Sequence, residues 1–160
     1  MHSTIFQIAS EVIDKENFID EDIFVQGDYS FYDYCGEISE DDRKSVIKSL
    51  VDNLLPSGMF TLSGDDCLVY EGGINEWKEQ WVARIHERAE AVSVSNITEG
   101  ISAVYLLEKE LKNPLDIGSR FCLESYPTSY AEESAELIKV ICRLKPGDKL
   151  YVGGVLDYHW

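Results

Sequence analysis

The side chains best able to do chemistry are few in this sequence, and their spacing forms none of the familiar catalytic groupings. A serine or cysteine hydrolase needs a nucleophile beside a histidine that a third group orients. Three histidines are present: His2 and His159 stand at the ends of the chain, and His86 lies in a charged helical stretch. No G-x-S-x-G elbow occurs, and none of the four cysteines (Cys35, Cys67, Cys122 and Cys142) sits in a local nucleophile signature. These residues read as surface histidines and as reduced, partly buried thiols that act as small apolar groups.

Carboxylates are plentiful, so metal binding needs its own test. Acids between Asp14 and Asp22, and the pair Asp65-Asp66, could supply oxygen ligands. The D-x-D-x-D-G spacing of a calcium loop is absent, however, and no two His or Cys residues stand at zinc-ligand spacing. The expectation is no metal and no cofactor. Gly72-Gly73 precedes a helix, where backbone N–H groups could meet an anion. Glu76 and Glu79 in the first turn would repel it, and no Lys-Ser pair follows, so a plain strand-to-helix turn is expected. Two carboxylates could also converge from distant positions for glycoside hydrolysis. With thirty acids some will meet by chance, so the sequence carries no signal for that chemistry. At the C-terminus, Asp157-Tyr158-His159-Trp160 could line a pocket, but Trp160 is expected to dock the terminus onto the core.

Charge is the feature furthest from background. Thirty acids against fourteen bases give −16 over 160 residues, where a small soluble domain ordinarily carries roughly 2–8 of either sign. The excess is uneven. Residues 1–42 hold twelve of the acids and one base, Lys15, for a net −11, and the remaining residues carry −5. Phe18, Phe24, Tyr29, Phe31, Tyr32 and Tyr34 are interleaved with those acids, which gives the segment something to bury.

Two readings of this segment follow. In one, Asp20, Glu21, Asp22, Asp28 and Asp33 steer a basic protein partner while Tyr29, Tyr32 and Tyr34 anchor it. In the other, the segment is an acidic cover over a sheet, with its rings turned inward. The charge repels nucleic acid and anionic membranes, so neither is an expected partner. The leading functional expectation is a non-enzymatic interaction domain that binds or inhibits a basic protein. In composition alone it resembles small acidic bacterial immunity and antirestriction proteins. The runner-up is a small enzyme or ligand-binding domain whose site is assembled only in the fold. A third reading, an assembly subunit, requires a large exposed apolar patch.

The elements that must position these residues suggest one α+β domain over residues 1–160, with 1–42 a segment of it. A mixed sheet of about four or five strands packs with about four helices. Strands are expected at 4–9, 59–62, Cys67–Tyr70, 120–125 and 149–158. Ser39-Glu40-Asp41-Asp42 resembles a capping box, and the helix it opens carries Val46, Ile47, Leu50, Val51 and Leu54. A long helix follows Gly73, with Trp77, Trp81, Ile85, Ala89 and Val92 in its stripe. Asn96 and Glu99 suggest the cap of another helix running to about Lys112. Ser129 and Glu132 suggest a capping box for a last helix through Ile138 and Ile141. The final strand–helix–strand could be a right-handed parallel unit. No hydrophobic leader starts the chain and no apolar run could span a bilayer, so the expected location is the cytoplasm.

Overall fold

A computed structural model gives the fold and describes residues 2–160. The closing strand dominates it. Lys149–His159 is apolar nearly throughout and buried on both faces, which suits it to the middle of a sheet. In chain order the elements are β1 (His2–Ala9), β2 (Tyr34–Glu37), α1 (Glu40–Ser49), β3 (Phe60–Ser63), β4 (Cys67–Tyr70), α2 (Ile74–Glu90), α3 (Ala103–Lys112), β5 (Arg120–Cys122), α4 (Ser134–Ile141) and β6 (Lys149–His159). A π-helical turn over Leu50–Leu54 continues α1.

The sheet is mixed and six-stranded. β1 runs antiparallel along one edge of β6, and β5 lies parallel to β1 beyond it. The other edge of β6 is shared: β4 pairs with residues 149–151 and β2 with residues 156–159, both antiparallel. β3 completes a hairpin with β4.

A single irregularity decides which side chains face which layer. Phe6 pairs with Val155 and Ile8 with Val152, so Gln7 stands opposite both Gly153 and Gly154. This is a β-bulge in β6, and one extra residue reverses the side-chain alternation beyond it. Leu150, Val152 and Val155 therefore join Phe6, Ile8 and Phe121 in the larger core, under Ile47, Leu50, Leu137, Ile138 and Ile141 from α1, its extension and α4. Leu156 and Tyr158 instead turn to the opposite face, with Ile5, Cys35 and Cys122. Ile19 and Phe24 of the acidic segment close that second core. Each such burial is worth roughly 1.5–3 kcal/mol.

Four expectations are corrected. β2 lies within the acidic segment, where its short, glycine-containing run Tyr-Cys-Gly-Glu carries no pattern of its own. Asn96 caps no helix start; its side-chain amide donates to Ala91 O and its oxygen accepts from Ser93 N, closing the end of α2. The following helix begins later, with Ser102 accepting from Val104 N. Ser129-Glu132 is likewise no capping box, because Glu132 exchanges both backbone hydrogen bonds with Phe121 and α4 starts after Glu133. Finally, β5 and β6 lie on opposite sides of β1 with opposite directions, so β5–α4–β6 is not a parallel crossover unit.

Ser39 does cap α1, accepting from Asp42 N at 3.1 Å. All four cysteines are free thiols, Cys35 and Cys122 buried among apolar side chains. Trp160 stacks on Tyr158 with ring centroids 5.1 Å apart. No helix among the described residues is long and apolar enough to cross a membrane.

Candidate functional site

The acidic segment is laid across the second face of the sheet and fixed there by buried polar groups. Gln7 is fully buried at the bulge. Its Oε1 accepts from Ile19 N at 3.1 Å and from Gly154 N at 2.9 Å. Its Nε2 donates to Asn17 O and Glu124 O. One side chain thus ties the segment, the bulge and the chain after β5 together. The segment also lies close to the strand: a Cβ on Gly154 would sit 2.6 Å from Ile19 O, inside any tolerable contact.

Between β4 and β2 the edge of β6 lacks a partner strand, and buried backbone groups there need other bonds. Arg43 supplies them, donating from Nε to Gly153 O at 2.9 Å and from Nη2 to Val152 O at 2.7 Å. Asp66 O accepts from Val152 N. The guanidinium is balanced by Glu40 and Asp66 and lies over the Phe18 ring, 5.1 Å from its centroid. The outer edge of β2 is covered in the same manner: Cys35 N donates to Gln26 Oε1 and Glu37 N to Glu21 Oε2. Side-chain caps of this kind blunt a strand edge against pairing with other chains. Gln26 also donates to Glu21 O, so the turn carrying Asp20, Glu21 and Asp22 is bound to β2.

Nine of the segment's carboxylates lie on residues 11–37 and three, Glu40, Asp41 and Asp42, in the first turn of α1. All twelve carboxylates of residues 1–42 are exposed. Glu40 pairs with Arg43 and Asp33 with His159; the other ten have no Lys, Arg or His partner within 4.0 Å among the described residues. Glu16, Asp20, Glu37 and Glu40 line one cleft together with Lys15 and Arg43.

Seven of the eight residues singled out from sequence divide into three places. Asp20, Glu21 and Asp22 form an exposed 3-10 turn, in which Asp20 Oδ1 accepts from Asp22 N at 3.1 Å. Asp28 and Tyr29 occupy the tip of a turn that Gly27 N closes on Tyr32 O. Tyr29 is wholly exposed and has φ of +85°, a left-handed conformation that a bulky residue seldom holds. Asp33 and Tyr34 lead into β2, Asp33 Oδ2 lying 3.1 Å from His159 Nδ1.

Tyr32 differs from the rest. Its ring packs edge-on against Phe24 and Tyr158, and burial pushes its hydroxyl up to about 12 against the opposing pull of Arg120. Tyr32, with Phe24, meets the inward-ring expectation, while Tyr29 and Tyr34 are free to touch a partner. Burial also raises the Cys35 thiol to about 11 and the Cys122 thiol to about 12, with Asp157 and Glu132 adding smaller effects.

No family model, curated protein or solved structure matches this chain. Two other surfaces stand apart from the acidic cover. A cavity of about 350 Å³ opens between α3, β5 and the end of β6, lined among others by Tyr105, Lys109, Lys112, Arg120 and Trp160. Its cations are already satisfied: Lys109 by Asp116, Lys112 by Glu108 and Arg120 by Glu133 at 3.1 Å. Arg120 also lies 4.7 Å from the centroid of the Phe31 ring. Elsewhere, Val94, Ile97, Ile101, Leu106 and Leu111 are exposed on α3 and the loop before it.

Sequence reading missed Gln7, Arg43 and the Gly153-Gly154 bulge as the groups that hold the site. The adjacent glycines were the available signal. The partners that give them meaning are more than a hundred residues away. Among the described residues, no group of three or more His, Cys, Asp or Glu is arranged to hold a metal ion.

Proposed function

We propose that this protein is a non-enzymatic binding protein whose acidic cover docks a basic protein and blocks the surface it occupies. One observation carries the reading: twelve exposed carboxylates lie on one segment and ten of them have no Lys, Arg or His side chain within 4.0 Å among the described residues. Unpaired carboxylates repel one another, and a cationic surface relieves that repulsion while accelerating encounter. The cover is held by Gln7 and Arg43 before any partner arrives, which lowers the ordering cost of binding. Tyr29 adds a contact group, since a wholly exposed ring held at positive φ is a local strain that no internal packing explains. The same reading has the protein act in the cytoplasm, where four free thiols are kept reduced.

The test is capture from native lysate on immobilised protein, eluted with rising salt, beside the variant Asp20→Asn/Glu21→Gln/Asp22→Asn. Asn and Gln keep the oxygen acceptors that cap Asp22 N and Glu37 N, so the variant changes charge and leaves the local bonds possible. A basic protein that binds the parent, leaves at moderate salt and associates about tenfold more slowly with the variant supports the reading. Equal capture by both removes it.

A further inference from the structure

The two chain ends that look isolated in sequence are brought together by β1 and β6. His2 is the direct cross-strand partner of His159, and their ring centroids are 5.3 Å apart. Each ring is held by its own carboxylate: His2 Nδ1 lies 2.9 Å from Asp157 Oδ2, and His159 Nδ1 lies 3.1 Å from Asp33 Oδ2. A carboxylate accepts the Nδ1 proton of a neutral imidazole, which leaves Nε2 with its lone pair and without a proton. Both rings are therefore oriented through one nitrogen, and the other is left as a donor to a metal. The carboxylate–histidine pairing is the outer-shell arrangement that fixes imidazole ligands in metal sites.

We propose that His2 and His159 chelate one zinc-class divalent ion through their two Nε2 atoms, with Asp157 and Asp33 as the positioning groups and water completing the coordination. Imidazole nitrogens suit Zn²⁺, Cu²⁺ and Ni²⁺, whereas Mg²⁺ and Ca²⁺ require oxygen ligands. Metal–nitrogen distances are about 2.0–2.1 Å, so the two Nε2 atoms must come within about 4 Å of each other to share one ion. With two protein ligands the site falls below any three-donor cluster, and it stands open to solvent or to a further ligand from a docked molecule. The surrounding negative field raises the local concentration of every cation, so ion selectivity identifies the site and mere cation uptake does not.

The experiment is calorimetric titration of Zn²⁺ into protein without an affinity tag, with thiols alkylated and Mg²⁺ in large excess. One Zn²⁺ per chain is expected. His2→Gln and His159→Gln should each abolish that binding, and His86→Gln should leave it unchanged. Asp157→Asn and Asp33→Asn should each weaken it about ten- to hundredfold. The His2 variant alters an exposed side chain at a strand end, and an unchanged melting temperature confirms that it folds if the His159 variant does not. Binding that Mg²⁺ displaces, that both histidine variants retain, or that is absent altogether overturns the proposal.

Discussion

Gln7→Leu is the sharpest perturbation of the support beneath the acidic cover. Leu nearly conserves volume, so the strand and the packing around it stay filled, but all four hydrogen bonds of the side chain are lost. The buried N–H groups of Ile19 and Gly154 then have no acceptor. Each such group costs about 1–3 kcal/mol, or about 2–6 kcal/mol together. At roughly 2–4 °C per kcal/mol for a domain of this size, the melting temperature should fall by about 4–24 °C. Thermal melting measures the total, and amide hydrogen exchange locates it. The Ile19 amide should exchange much faster while amides in the larger core of α4 keep their protection. The cover should also loosen, so association with a basic partner should slow although no charge has changed. A variant that melts within about 1 °C of the parent, with Ile19 still protected, would refute the claim that Gln7 fixes the cover.

Three other perturbations probe the same account. Gly154→Ala should destabilise by about 1–3 kcal/mol and displace the segment, because the new methyl meets the Ile19 backbone at 2.6 Å. Gly36→Ala should cost less, since the atoms in its way belong to the movable Tyr34 ring; paired melting curves compare the two. Tyr29→Gly should hold stability or raise it by up to about 1 kcal/mol by releasing a positive φ, yet weaken partner binding. A loss of stability with unchanged affinity would make Tyr29 structural.

Alkaline pH should unfold the protein early. Tyr32, Cys35 and Cys122 all have folded pKa values raised above their ordinary values of 10.0, 9.0 and 9.0. The unfolded chain loses those protons first, so stability present below about pH 9 declines as pH rises toward 11–12. Denaturant melts at successive pH values should show the decline, and Cys122→Ala should shrink it.

Much of the framework was legible because it is local. The Ser39 cap, the Trp77–Trp81 stripe and the Cys67–Tyr70 strand each depend on neighbours in sequence, and each stands where its pattern places it. Errors arose where a local pattern has two uses. Asn96 satisfies the end of the helix behind it, although the same side chain can open the helix ahead. Glu132 is taken by a backbone bridge to Phe121 that no local pattern announces. The candidate site was legible in its charge and hidden in its support. Residues 1–42 show their acids in any composition count, but a glutamine at a bulge and an arginine filling a gap between strands are defined only by distant partners. The histidines at the two ends looked unrelated for the same reason, since the pairing of β1 with β6 joins residues 2 and 159.

The central claim concerns where the basic partner sits, and hydrogen-exchange mass spectrometry on the captured complex reads that directly. The account predicts new protection within residues 14–37, above all around Asp20–Asp22, the Tyr29 turn and the β2 edge, fading as salt is raised. Protection instead on α3 and the loop before it, or around the cavity lined by Tyr105, Lys112 and Trp160, with residues 14–37 unchanged, would contradict it.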